Sequence, residues 1–266
     1  MSNIDSEHSW QIAQTYASQI GEVPSIFSAC VRMIQSLEGS QRASNIAAAK
    51  QHVADAAGPL VRRSPSLQAI FYYAAETLYP TQLRDLKVLS VEAIIKLFDP
   101  QEVATLIAVV YLMRRTETRC DQDEWRRLGP KLQISMEVGR MVGSALNNFG
   151  PGYGMLLGSI RLLALGMFLT HDLKGFQQYR RHLVKCDLPF DVQFEEARWG
   201  CNHLEVSASL VQVLGFGLTP SVGLGVGQYG SRTSPSREER RDLDSIIATW
   251  KAAIILCDSL LTSAQT

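Results

Sequence analysis

Few side chains in this sequence have the type and spacing to perform chemistry, and the strongest candidates lie in its second half. His171 and Asp172 form a His-Asp dipeptide, and His203 and Glu205 form an H-x-E pair. Arg161 lies in the middle of the apolar stretch GSIRLLALGMF, which contains no carboxylate that could neutralise its charge. The first two patterns raise the question of a metal site, and the third raises the question of what a buried cation would do.

The histidine pairs do not have the geometry of a metal site. A metal ion needs several ligands that converge in the protein interior. His171 comes where an apolar helix gives way to the polar residues THDLKG, so we expect it at a solvated helix end. His203 and Glu205, two residues apart on a helix, point about 200° away from each other and do not chelate one ion together. We expect His203 to be a first-turn residue that forms one local hydrogen bond.

The remaining motifs are weaker. GVGQYG (225–230) fits the G-x-G-x-x-G pattern, but no strand precedes it and no helix start follows it at once, so we predict a flexible loop. Glu195 and Glu196 are adjacent and diverge by about 100° on a helix, so they form no carboxylate dyad. The basic clusters are mixed with acidic or amide residues, as solvated helix faces are: Arg114/Arg115/Arg119, Arg126/Arg127 and Lys174 to Lys185. They are nevertheless the best feature for a phosphate-rich ligand.

Composition places the chain among soluble proteins. It has 266 residues, 46% hydrophobic and 20% charged, and its formal net charge is zero, which gives no nucleic-acid signature and no reason to expect an anionic membrane surface. Five cysteines are scattered without a C-x-x-C spacing, which favours a reduced, cytoplasmic location. The N-terminus MSNIDSEHSW has no apolar signal, and the longest apolar runs, 104–113 and 155–170, are too short for a membrane span.

Helical periodicity recurs along the chain, and we find no alternating strand pattern. Proline and serine start signals predict helices from Pro24, from Ser64-Pro65 and from Pro100, and Gly215 ends a helix over 202–214. We also predict a helix over 121–148 with a break at Pro130, a loop over NFGPGYG (148–154), and a last helix to about 261 opened by the capping box SREE (236–239). Residues 216–235 are rich in Gly, Ser, Thr and Pro. The fold class predicted is all-α, a compact single-domain bundle of a dozen or so helices.

Several of these segments, taken in order, resemble the HDOD domain, the "HD-related output domain" of bacterial signalling proteins and a degenerate relative of the HD and HD-GYP phosphohydrolases. VPSIFSACVRMIQSLE (23–38), RSPSLQAIFYYAAETLY (63–79) and VEAIIKLF (91–98) are similar to its early helices. RWGCNHLEVSASLVQVLGFGLTP (198–220) is similar to its G-x-x-H-x-E-x-G-x-x-L segment: it retains Gly200, His203, Glu205 and Leu210, whereas Ser207 replaces the second glycine. The resemblance implies an HDOD-like domain over 21–262, preceded by an N-terminal extension over 1–20.

The resemblance also implies a lost metal site. The superfamily's His-Asp pair falls on Arg161-Leu162, the helix around 131–139 has no histidine, and the late His-His falls near Gln228-Tyr229. Of the ligand set only His203 remains, and a guanidinium in the same place would repel metal ions. We therefore expect no metal, no cofactor and no catalytic activity.

What the resemblance implies is a non-catalytic bacterial signal-transduction module that acts by binding a protein or a small ligand, with a signalling or regulatory protein as the expected partner. The candidate binding face is the point where Arg161, His203 and Glu205 converge, with the aromatic and basic surface of 174–199 as a second candidate. Two other functions stay open: a metal-dependent phosphohydrolase acting on a nucleotide, and a receptor for a cyclic dinucleotide or other nucleotide. Arg161 also has a purely structural alternative, with its head paired to an acid such as Glu205.

Overall fold

The periodic segments of the sequence become helices in a computed structural model of the chain, which describes residues 3–40, 46–225 and 237–263. Within those ranges there is no strand, and the all-α prediction is confirmed. The helices are α1 (Asn3–Ser18), α2 (Ser25–Ser40), α3 (Ile46–Arg62), α4 (Pro65–Leu78), α5 (Pro80–Arg84), α6 (Val91–Ile95), α7 (Pro100–Glu117), α8 (Gln122–Ala145), α9 (Pro151–His171), α10 (Leu173–Cys186), α11 (Val192–Trp199), α12 (His203–Leu214), α13 (Leu218–Leu224) and α14 (Arg237–Ser263).

Helix α9 is the centre of the bundle. It is apolar on all sides, and a helix of that kind must be buried on all sides. Every residue from Gly154 to Leu169 is indeed buried, against α7, α8 and α12 above all. By length and composition α9 could cross a membrane, as could residues 241–262 of α14. Of the α9 window 94% is buried within the protein, as in the core helix of a soluble protein, whereas only 22% of the α14 window is buried. Within the described residues, these two helices are only weak evidence for a membrane span.

Helices α8 and α9 touch backbone to backbone. A Cβ atom at Gly139 would overlap the carbonyl oxygen of Gly154, and one at Gly158 would overlap that of Ser135. Gly143 and Gly150 form an equally close approach nearer the connecting loop. Such a contact requires glycine, because any side chain would force the two helices apart.

Two predicted boundaries differ from the structure. Helix α8 continues through Pro130, where a break was expected; Gly129, which precedes the proline, has no Cβ to clash with the ring. Helix α9 begins at Pro151, inside the predicted loop, because proline suits the first helical position. The Gly-, Ser-, Thr- and Pro-rich stretch 216–235 contains the short helix α13, which Trp250 of α14 covers by packing against Gly223. The rest of GVGQYG after Gly225, and the side chains of SREE, lie outside the described part of the chain.

The N-terminal segment is packed into the same core as the rest. Ala13, Tyr16, Ala17 and Ile20 are buried, and α1 lies mainly against α12. Residues 3–20, the described part of the predicted N-terminal extension, thus pack against the bundle.

The predicted start of α4 agrees with the structure: Ser64 caps α4 by accepting the Leu67 N–H at 3.4 Å.

Candidate functional site

Arg161 lies inside the bundle and is neutralised by a residue far away in sequence. Its side chain is 2% exposed, and its Nη1 lies 2.8 Å from Oδ1 of Asp258 on α14. Its Nη2 donates to Oδ2 of the same carboxylate at 3.1 Å. The acid that pairs with Arg161 is therefore Asp258, whereas the sequence suggested Glu205.

His203, the first residue of α12, is the second partner of Arg161. The Nε of Arg161 donates to His203 Nε2 at 3.2 Å. On the other side of the ring, Nδ1 lies 2.7 Å from Oε2 of Glu195, which also accepts the His203 backbone N–H at 2.7 Å. Because Nε2 accepts from a permanent cation, the network assigns the proton of the imidazole to Nδ1. This buried histidine therefore forms far more than the one local hydrogen bond that was expected.

Phe190 covers both groups. Its ring stacks on His203 with centroids 4.3 Å apart and 18° between the planes. The Cζ atom of Arg161 lies 4.0 Å from the same ring centroid, within the range of a cation–π contact. The guanidinium is thus enclosed by a carboxylate, an imidazole and an aromatic face.

Glu195 extends the network to α10. Its Oε1 accepts a hydrogen bond from the hydroxyl of Tyr179, and that hydroxyl in turn accepts the backbone N–H of Asp191 at 3.0 Å. Burial, followed by the neighbouring Glu195 carboxylate, raises the pKa of Tyr179 well above its usual value, so the phenol stays protonated and acts as a donor. We call Arg161, Asp258, His203, Glu195 and Phe190 the arginine cluster.

Glu205 is used differently from Arg161 and His203. Its Oε2 accepts the backbone N–H of Asn202 at 3.0 Å, as part of a capping box, and the hydroxyl of Ser9 on α1 at 2.6 Å. The angular separation of residues two apart on a helix explains this, because it turns Glu205 toward α1. The predicted convergence is thus partial: Arg161 and His203 meet directly, and Glu205 caps α12 and holds α1.

The His-Asp dipeptide lies at a helix end, as expected. His171 is exposed, and Asp172 caps α10 by accepting the Gly175 N–H at 2.9 Å and pairs with Arg198 at 2.6 Å. The Gly175 N–H, with help from Arg198, lowers the pKa of Asp172. Within the described ranges, no group of three or more His, Cys, Asp or Glu side chains is placed to hold a metal ion.

An open groove of about 380 Å³ lies beside the arginine cluster, between α8 and α10. We call it the α8–α10 groove. Its floor is apolar, with Leu128, Leu162, Leu165 and Phe176, and Phe190 of the cluster forms part of its wall. Its charged lining consists of Glu124, Arg127, Lys131 and Arg180.

Part of the predicted binding surface 174–199 lines the groove, but the prediction about its aromatic residues is wrong. That surface was expected to expose its aromatic residues, but Phe176, Tyr179 and Trp199 are buried. The amphipathic α10 turns its aromatic face inward, and Phe168 of α9 stacks on Trp199 at 4.3 Å. Beside its basic residues, α10 exposes aliphatic side chains, among which Val184 is the most exposed.

Sequence reasoning missed three members of the arginine cluster. Asp258 is 97 residues from Arg161, and no local pattern connects them. Phe190 lies between helices, where periodicity gives no signal. Glu195 does have a signal in the sequence, because it lies only eight residues before His203, across a short turn.

No model of a known protein family, no curated protein and no solved structure matches this chain.

Proposed function

We propose that this protein is a non-catalytic regulatory module that acts by binding, built on a scaffold similar to that of the HD-type phosphohydrolases. The observation that carries the proposal is the arginine cluster, which stands at the place where the resemblance puts the superfamily's metal ligands. Arg161 is satisfied there by Asp258 and His203.

The bonding of His203 supports this proposal directly. A metal would need an unprotonated ring nitrogen with a free lone pair. The lone pair of Nε2 accepts from Arg161, and Nδ1 is engaged by the buried Glu195. Because an arginine in a protein does not deprotonate, a divalent cation at this place would face a fixed positive charge.

The signalling role and the cytoplasmic location belong to the same proposal. The resemblance to HDOD domains supports a role in bacterial signal transduction through a protein partner. All five cysteines are free thiols and four of them are buried, which is compatible with a reducing compartment. The groove next to the cluster supplies a surface that a ligand can occupy.

The test measures metal content and hydrolysis in the purified full chain. We expect substoichiometric transition metal, and no hydrolysis of nucleoside phosphates or cyclic dinucleotides when Mn²⁺ or Mg²⁺ is added. The variant His203→Ala should give the same background rate as the wild type. Stoichiometric metal together with a hydrolytic rate that His203→Ala abolishes would establish the phosphohydrolase alternative and overturn the proposal.

A further inference from the structure

We propose that the α8–α10 groove binds a small amphiphilic anion, a carboxylate with an unbranched apolar tail. The groove holds about 380 Å³, within the range of small-molecule sites. Its floor is made by side chains of three helices, α8, α9 and α10, and Leu261 adds a contact from α14. A tail that enters the groove leaves water for a surface that is already apolar, which is the main source of affinity for such a ligand.

The polar groups of the floor favour a hydrocarbon tail over a nucleotide base. Ser135 donates its hydroxyl to the carbonyl of Gly158 at 2.8 Å, and Tyr179 donates to Glu195. Both hydroxyls are thereby used within the protein. A base edge buried in the groove would lose its hydrogen bonds to water without replacement there, whereas a methylene chain has none to lose.

The charges at the rim favour an anionic head. Arg180 lies 3.0 Å and Arg127 3.9 Å from the carboxylate of Glu124, which is 5% exposed. Lys131, the third cation of the lining, forms no ion pair with any described residue. One carboxylate against three cations leaves the rim positively charged, so a carboxylate head is attracted and a quaternary ammonium head is repelled.

Phe190 links this site to the proposed function, on which the biological meaning of the inference rests. A tail in the groove contacts one part of Phe190, and the same ring packs on His203 and Arg161. A ligand in the groove therefore contacts a residue that belongs to the arginine cluster and lies in the connection between α10 and α11. Binding of the ligand does not depend on whether the protein has the proposed regulatory role.

The first test is calorimetric titration of the full chain with octanoate, decanoate and dodecanoate, each kept below its critical micelle concentration. We expect saturable binding in which each added pair of methylenes lowers the Kd by about fifteenfold. Dodecyltrimethylammonium has the same tail with the opposite charge, and we expect it to bind more weakly than dodecanoate. A Kd that does not change with tail length, equal binding of the two head groups, or no saturable heat with dodecanoate overturns the inference.

Exposed variants locate the site without endangering the fold. Val184→Glu puts a carboxylate at the apolar wall and should abolish dodecanoate binding, and Lys131→Glu should weaken it about fivefold or more. Lys87→Glu makes the same charge change in an exposed segment between α5 and α6 and should leave binding unchanged. If Val184→Glu binds dodecanoate like the wild type, the groove is not the site. If the groove binds no dodecanoate but the purified protein also holds no metal and hydrolyses no nucleotide, only the ligand inference fails and the proposed function stands. The two failures are therefore distinguishable.

Discussion

The ion pair between Arg161 and Asp258 should respond very differently to the loss of each partner. Arg161 is 2% exposed, whereas the side chain of Asp258 is 33% exposed. Asp258→Asn leaves a buried guanidinium that keeps its charge, with only an imidazole and an aromatic ring to replace the carboxylate. Arg161→Met leaves a carboxylate that water can reach and removes the donor to Nε2 of the buried His203, but it leaves no buried charge.

The expected magnitudes follow from that asymmetry. Breaking a buried pair costs about 3–5 kcal/mol when the remaining charge is buried, so we expect Asp258→Asn to lower the free energy of unfolding by about 3 kcal/mol. For Arg161→Met we expect about 1–2 kcal/mol, because Asp258 rehydrates and only the lost donor to His203 Nε2 stays uncompensated. In the double variant the orphaned cation is gone, and the loss should return to about 1–2 kcal/mol, a strong non-additivity between residues in contact.

The assay is equilibrium unfolding in urea, followed by circular dichroism at 222 nm. The midpoint should fall while the slope with denaturant stays constant, which indicates a change in stability and not in compactness. Asp244→Asn on the exposed part of α14 is the matched control and should stay within about 0.5 kcal/mol of the wild type. Equal losses for Asp258→Asn and Arg161→Met, or additive losses in the double variant, would refute the reasoning.

Three further predictions concern other parts of the molecule. Gly154→Ala should lower the free energy of unfolding by about 3 kcal/mol or more in the same assay, because a Cβ there meets the α8 backbone; Met141→Ala, at an exposed position of α8, should change it by less than about 1 kcal/mol. Asp172 has a folded-state pKa below its ordinary value of 3.8, so its stabilising effect is complete above that value and is lost as the pH falls below it. Asp172→Asn should therefore flatten the decline of stability measured in that acidic range, and an unchanged acid profile would contradict this. A thiol reagent should titrate one cysteine, Cys186, in the native protein and all five in denaturant, because the others are buried; rapid reaction of more than one native thiol would contradict the structure.

Local signals in the sequence predict the helices well where they coincide with packing. Ser64 caps α4, Gly215 ends α12 in a left-handed conformation with φ of 93°, and the apolar run around Arg161 is a buried helix. At Pro130 the predicted break does not form, because the glycine before the proline removes the clash with the ring and residues on both sides of Pro130 pack on α9.

The arginine cluster could be predicted only in part. The chemistry of Arg161 demanded an acidic partner, and the HDOD resemblance suggested that His203 was near it; the two residues do touch. The identity of the acid depends on how α14 crosses α9, which is a property of the tertiary fold and leaves no trace in local spacing. Helical geometry itself disfavours Glu205 as the partner of Arg161, because residues two apart on a helix are separated by about 200° and Glu205 therefore points away from His203.

The glycine contact between α8 and α9 determines which parts of the groove can adapt. With backbone against backbone at Gly154 and Gly158, sliding or rotation of either helix would drive main-chain atoms into each other. One side and the floor of the groove are therefore a single inflexible unit. The groove can adjust to a wider or narrower ligand only by movement of α10 and of the turn that follows it. In that turn Asp187 already adopts a left-handed conformation with φ of 52°. The width of the groove is thus set by the distance of α10 from α8 and α9, which form a fixed base. Among related chains, sequence variation should accumulate on α10, while the contacting residues of α8 and α9 stay constant.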